Sequence, residues 1–273
     1  MVKIATFSLA ILCVVISIYS WLSNTEFIFS NYGYSTENLL SGNFLVLLSS
    51  IFLHANLEHL VSNLIVLLLF GITLEEEIGS KKFLLLFFGG AFFGDILSSL
   101  IYPANQISVG ASAGIFSIIG ATMLIKPIRI EIFLPIPLGI IGLGYLIYAI
   151  VGAITGYPQH VAHVAHIGGS LIGLSYGFYK KGFRNALRII IALFLLLLFV
   201  PVIWNLWVLI MKSILGILAS AGILMVAFRL NFFGLSLFLK GSFEPGTSCL
   251  PSTRSTGFLQ AFQFRLGFSK RLD

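Results

Sequence analysis

Charged side chains are scarce in this chain. Acidic and basic residues together make up 10% of its 273 residues, where a soluble globular domain carries about 25%. Hydrophobic residues make up 58% and the mean hydropathy is +1.03. That balance excludes an ordinary soluble domain and identifies a polytopic membrane protein. Cysteine is nearly absent too: Cys13 lies in the first apolar run and Cys249 near the C-terminus, environments too different for a disulfide or a shared metal site. No HExxH sequence, soluble domain or internal repeat is recognisable. The net charge of +6 is a topology signal directed at anionic headgroups and gives no reason to invoke nucleic acid.

What is abundant is long apolar runs. A membrane span needs about 20 mostly apolar residues, and candidates fall at 4–22, 57–74, 83–101, 112–125, 134–154, 162–179, 187–210 and 213–233. The first follows Lys3 as a signal peptide would, but it is too long for one and no small-residue cleavage site follows, so it is read as a helix. Up to residue 180 the basic residues are Lys3, Lys81, Lys82, Lys126, Arg129 and Lys180. They fall before span 1, between spans 2 and 3, between 4 and 5, and after 6. The loops at 23–56, 102–111 and 155–161 carry none. Cytoplasmic loops hold the excess of Lys and Arg, so this alternation predicts six spans with a cytoplasmic N-terminus in the cell membrane. The expected organisation is a six-helix core over residues 1–181, two further transmembrane helices within 187–233, and a basic cytoplasmic tail at 234–273, disordered or resting on the inner leaflet through its aromatic and basic residues.

On this map the polar residues agree in depth. Spans 2, 4 and 6 all run inward, which puts His54, His59 and Asn63 near the outer end of span 2, Ser112 at the first turn of span 4, and His163 and His166 near the start of span 6. Polar groups in hydrocarbon are costly unless paired or beside a wet cavity. A serine and a histidine at one depth therefore predict nucleophile and base. Span 4, with 14 residues, is only ~21 Å long at 1.5 Å per residue. It needs the segment 102–109 to dip into the protein from the outer side. Gly169, Gly173 and Gly177 recur on one face of span 6, as do Gly90 and Gly94 in span 3, a spacing that lets helix backbones approach closely. Span 4 packed there would bring Ser112 within reach of His166.

A lone serine at a helix start usually caps backbone, and a lone intramembrane histidine usually makes an interhelical hydrogen bond. The agreement in depth overrides both. His160, His163 and His166 spread over more than one helix face, which disfavours a metal site. Asp95 reads as a structural hydrogen-bonder, and Glu75, Glu76 and Glu77 as a solvated run at the inner end of span 2.

Four separated motifs carry a family resemblance over roughly residues 44–179: Phe52-Leu53-His54-Ala55-Asn56-Leu57-Glu58-His59 running on to Asn63; Gly71, Glu75 and Gly79; Gly110-Ala111-Ser112 with Gly120; and Ala165-His166-Ile167-Gly168-Gly169 with Gly173. In this order they resemble the rhomboid intramembrane serine proteases. The resemblance implies a six-helix core with a Ser/His dyad, Ser112 as nucleophile and His166 as general base. It further implies that His59, Asn63 and the backbone N–H of Ser112 stabilise the oxyanion, and that His54 braces the loop after span 1. Gly110, Phe116, Gly169 and Gly173 support the site, with Phe116 packed on the His166 ring. No cofactor or metal is implied. The implied partners are the lipid bilayer and single-span membrane proteins, cut near the outer face where their helices loosen. Two departures stand out: Ala113 follows Ser112 where the family commonly has glycine, and Val46 occupies a position that often holds an arginine, which leaves Glu75 without that loop partner. A client-binding relative without proteolysis and a transporter or proton relay are the alternatives. Both dyad residues are present, against the first, and no duplicated halves are visible, against the second.

Overall fold

In the computed structural model, residues 3–130, 136–158, 161–217 and 220 are described. Among these residues, α-helices run in the order α1 (Ile4–Leu22), α2 (Thr25–Tyr32), α3 (Thr36–Leu40), α4 (Val46–Ser49), α5 (Leu57–Ile78), α6 (Ser80–Ser98), α7 (Ser112–Ile125), α8 (Leu138–Thr155), α9 (His163–Lys181) and α10 (Phe183–Leu197), with a 3-10 turn at Ser50–Phe52. An apolar helix α11 (Val200–Ile217) follows. Among the described residues the only extended pairing is an isolated bridge between Tyr34 and Ser108. The chain divides into two compact units, residues 1–211 and 212–273. Described residues of the second are confined to 212–217 and 220.

By length and composition α1, α5, α8 and α11 are each able to cross a membrane. α1 presents Ile4, Ile11, Val15, Tyr19 and Leu22 outward, and α8 presents Ile150, Val151 and Ile154. Large apolar side chains exposed in rows along a helix fit a hydrocarbon solvent, since water disfavours such patches. The protein is an all-α, multi-pass integral membrane protein.

Local chemistry explains the main boundaries. Asn56 opens α5 by accepting a hydrogen bond from the His59 backbone N–H at 2.8 Å, satisfying one of the free donors of the first turn. Gly79, at φ +80°, separates α5 from α6. α7 occupies the centre: every residue from Ala113 to Ile125 is buried, and α5, α6, α8 and α9 pack around it. The contact with α9 is the closest. A Cβ on Gly169 would run into the Ala113 carbonyl oxygen, and one on Gly173 into that of Ser117, so the small-residue face of α9 is the face that meets α7. On α6, a Cβ on Gly90 would likewise meet the Ser117 side chain.

Two sequence expectations are corrected here. The run expected to be one span over 187–210 is two helices that part at Leu198–Phe199. The reason is Pro201: its ring would clash with the Leu197 carbonyl and it offers no N–H, so it is tolerated in the first turn of α11 but not inside a continuous helix. The eighth span (213–233) falls mostly, and the 234–273 tail entirely, outside the described residues.

The second correction concerns Glu75, which is 3% exposed rather than solvated. Its carboxylate accepts from Ala5 N (3.0 Å), Thr6 N (2.8 Å), Thr6 Oγ1 (2.6 Å) and Ser80 Oγ (2.7 Å). It thereby caps the start of α1 and ties it to α6, with no need of an arginine at the Val46 position. Its neighbours do face outward, as ion pairs Lys3–Glu76 at 3.7 Å and Lys126–Glu77 at 2.7 Å. These pairs gather the start of α1 and the ends of α5 and α7 at one end of the bundle. A cavity of about 720 Å³ lies at that end, lined by Glu76, Glu77, Lys126, Arg129 and Lys181 among others. Replacement Glu75→Ala strands donors that face a carboxylate, where such bonds are worth about 1.5–3 kcal/mol each. The expected result is a fall in Tm of more than about 10 °C, read by thermal unfolding in detergent, with Glu75→Gln falling less.

Candidate active site

The starts of α5, α7 and α9 meet at the end of the bundle opposite the ion pairs. α7 begins at Ser112, and the chain reaches it through Gly110, whose N–H donates to the Ser50 carbonyl at 2.9 Å. Upstream, Tyr34 and Ser108 exchange backbone hydrogen bonds at 2.9 and 2.7 Å, and Glu37 N donates to the Ala104 carbonyl at 2.8 Å. The segment expected to dip inward is held against the loop that follows α1 at Ala104 and Ser108, but residues 103–107 are exposed rather than sunk into the protein, since the pairing with that loop already carries the chain to α7.

Gly110 sits at φ +127°, a conformation open to glycine. A Cβ there would lie 2.8 Å from His59 Cε1, 2.9 Å from His59 Nε2 and 3.5 Å from Asn63 Nδ2. Only a glycine lets the backbone just before Ser112 pass this close to both side chains. Asn63 Nδ2 is buried and meets no acceptor among the described residues. Buried amide donors are almost always bonded, so one left open beside the start of α7 marks a place where a transient acceptor fits. The first-turn N–H groups of α7 also have no intrahelical acceptor. Together these donors form the kind of array that stabilises a developing oxyanion.

His166 Nε2 lies 2.9 Å from Ser112 Oγ. With the ring proton on Nδ1, the serine hydroxyl donates to Nε2, the arrangement in which the ring accepts the serine proton during attack. Nδ1 meets no partner among the described residues, so no carboxylate orients the ring as in a triad. A ring contact does that instead. Phe116, one turn after Ser112, stacks on His166 with centroids 4.2 Å apart and an interplanar angle of 5°. Substituting Phe116→Leu should lower turnover about tenfold, in keeping with aromatic pairs worth roughly 0.5–1.5 kcal/mol beyond burial. Initial-rate measurement on equal amounts of active protein checks this.

His54 lies beside this cluster without reaching Ser112. Its Nδ1 is 3.0 Å from Ser17 Oγ, its carbonyl accepts from Trp21 Nε1 at 2.8 Å, and its ring meets that of His59 edge-on at 5.0 Å. It thus ties the loop to α1. His163 is buried and joins the cluster from behind His166; His160 falls outside the described residues. Asp95 is buried in α6, and its backbone carbonyl accepts from Ser98 Oγ at 2.7 Å. The sequence reading missed the Ser50 carbonyl that anchors Gly110, for which no side-chain signal exists. It also missed Tyr145 and Tyr148 of α8, whose importance depends on which helix lies beside them.

A family model described as "Rhomboid domain" matches residues 41–183. The chain is 26% identical over 180 residues to the RHOMBOID-like protein 12, mitochondrial, of Arabidopsis thaliana, covering 58% of this chain and 53% of that one. It is 28% identical over 133 residues to Rhomboid-like protease 2 of Toxoplasma gondii, covering 49% and 46%. Over a shorter stretch of 70 residues it is 49% identical to Rhomboid-like protease 3 of the same organism, 26% of each chain. The chain spans about half or less of the length of these relatives.

Proposed function

The chain belongs to the rhomboid family, and on that footing we propose that it is an intramembrane serine endopeptidase that cuts the transmembrane segments of single-span membrane proteins near the outer face. The observation that carries the reading is the 2.9 Å contact between Ser112 Oγ and His166 Nε2, set among apolar helices and beside the open Asn63 donor.

In the proposed reaction Ser112 Oγ attacks the scissile carbonyl carbon as its proton passes to His166 Nε2. The carbonyl oxygen, now an oxyanion, is held by the Ser112 backbone N–H, Asn63 Nδ2 and the His59 ring. Collapse breaks the C–N bond, and His166 gives its proton to the departing amine. Water, deprotonated by His166, then releases the acyl group from Ser112 and restores both residues. A helical peptide bond is shielded by its own hydrogen bonds and side chains, so the preferred substrates are spans that unwind locally, with small residues near the cut. The basic residues at the ends of α5 to α9 support an orientation with the N-terminus in the cytoplasm of a cell and the dyad toward the opposite face of its membrane.

The test is reconstitution in lipid vesicles with a single-span substrate, together with labelling by a fluorophosphonate, which phosphonylates an activated serine. The expected result is substrate cleavage and one label on the peptide that carries Ser112. A protein that is folded yet neither cleaves several substrates nor takes the label would move the assignment to a client-binding role.

A further inference from the structure

His163 lies one helical turn before His166 and is 2% exposed. Its ring is pressed against α8. Gly152 faces it so closely that a Cβ there would collide with His163 Cε1, Nδ1 and Nε2, and Tyr148, one turn earlier on the same helix face, meets it edge-on with centroids 5.2 Å apart and planes at 68°. The imidazole thus sits in a notch that α8 makes by omitting one side chain and supplying another. On its other side, the His163 ring stands nearly perpendicular to that of His166, at 6.1 Å and 86°.

These contacts close a circuit. Tyr145, three residues before Tyr148 on α8, meets Phe116 edge-on at 5.8 Å and 90°, and Phe116 stacks on His166. Starting and ending on α8, the rings run Tyr145, Phe116, His166, His163, Tyr148. The base therefore has two ring neighbours, one flat against it and one across it, and each is held by a different tyrosine of the same helix. A flat stack alone limits tilt but leaves a ring free to slide in its own plane. A second ring set across it opposes that motion. Because Nδ1 has no hydrogen-bond partner among the described residues, this steric pair is what orients Nε2 toward Ser112.

We propose that His163 is a positioning residue that couples the seating of α8 to the orientation of the His166 imidazole, so that the rate of proton transfer from Ser112 depends on side chains of α8 that touch neither dyad residue. The proposal rests on the proteolytic reading above. It makes Tyr148, which is 45% exposed, a point at which a substrate or lipid against α8 changes turnover.

A mutant cycle tests it, with active sites counted by fluorophosphonate titration so that a folding defect does not pass for slow chemistry. His163→Ala is expected to lower kcat about tenfold with KM little changed, and to slow labelling of Ser112 in proportion. Tyr148→Leu is expected to lower kcat severalfold, yet to have no further effect in the His163→Ala background, since it acts through that ring. Gly152→Ala should slow the wild-type protein and be neutral once His163 is alanine, where the collision is gone. Should Gly152→Ala fail to fold, the Tyr148 pair still decides. Wild-type protein that cleaves, with His163→Ala equally fast per active site, or with Tyr148→Leu and His163→Ala acting additively, overturns the coupling and leaves the protease reading intact. Wild-type protein that neither cleaves nor labels overturns both.

Discussion

Replacing Ser112 with alanine, or His166 with alanine, is expected to lower cleavage of a single-span substrate by about three orders of magnitude or more, and the double replacement to be no slower than either single one. The non-additivity follows from the geometry. Ser112 Oγ is a poor nucleophile until its proton has somewhere to go, and the acceptor 2.9 Å away is His166 Nε2. Without the imidazole the hydroxyl stays protonated, and without the hydroxyl the imidazole has nothing to activate in acylation. Each loss removes the same pathway. The measurement is substrate cleavage in vesicles at matched protein content, with thermal unfolding compared to wild type. Ser112 is a half-buried residue at the start of α7, so removing its oxygen leaves the helix seated. Cleavage by Ser112→Ala at the wild-type rate would show that another group is the nucleophile.

How far the sequence alone reaches is visible in particular elements. The limits of α7 coincide with the expected span 112–125 because punctuation marks both ends: Gly110 before it and Lys126-Pro127 after it. The convergence of Ser112 and His166 was legible because two independent patterns agree, the alternation of basic loops and the glycine spacing of α9. Glu75 was not. Three consecutive glutamates look uniformly solvated, yet successive helical residues point about 100° apart, so Glu75 turns inward to α1 while Glu76 and Glu77 meet lysines. The break before Pro201 did have a signal, outvoted by the continuous apolar run around it. The short helices α2 and α3 also had one, in the caps Asn24 and Ser35, whose side chains accept from Phe27 N and Asn38 N. The loop lacks the long apolar period by which the spans stand out. The circuit through Tyr145, Tyr148 and Gly152 has no sequence signal, because ring contacts between α7, α8 and α9 exist only once those helices are neighbours.

Asn63→Ala is expected to lower kcat by about 10² to 10³, which corresponds to ~2.7 to 4 kcal/mol for loss of one preorganised oxyanion donor, while KM changes little. The split between the two constants is the informative part. The ground-state carbonyl carries only a partial charge, whereas the tetrahedral oxygen carries a full one, so a donor waiting beside Ser112 interacts most strongly in the transition state. Asn63 Nδ2 donates to no group among the described residues, so its loss breaks no hydrogen bond within them. Removing the amide should therefore leave Tm unchanged, unlike Glu75→Ala, whose carboxylate is fully bonded at rest. Gly110→Ala supplies an independent check. It leaves every donor in place but forces a Cβ to 2.8 Å from the His59 ring and 3.5 Å from Asn63 Nδ2 at a φ of +127°, so it should cost turnover by displacement. Steady-state kinetics on correctly inserted Asn63→Ala decide the matter: a raised KM with unchanged kcat would assign Asn63 to substrate binding, and wild-type values for both would remove it from the site.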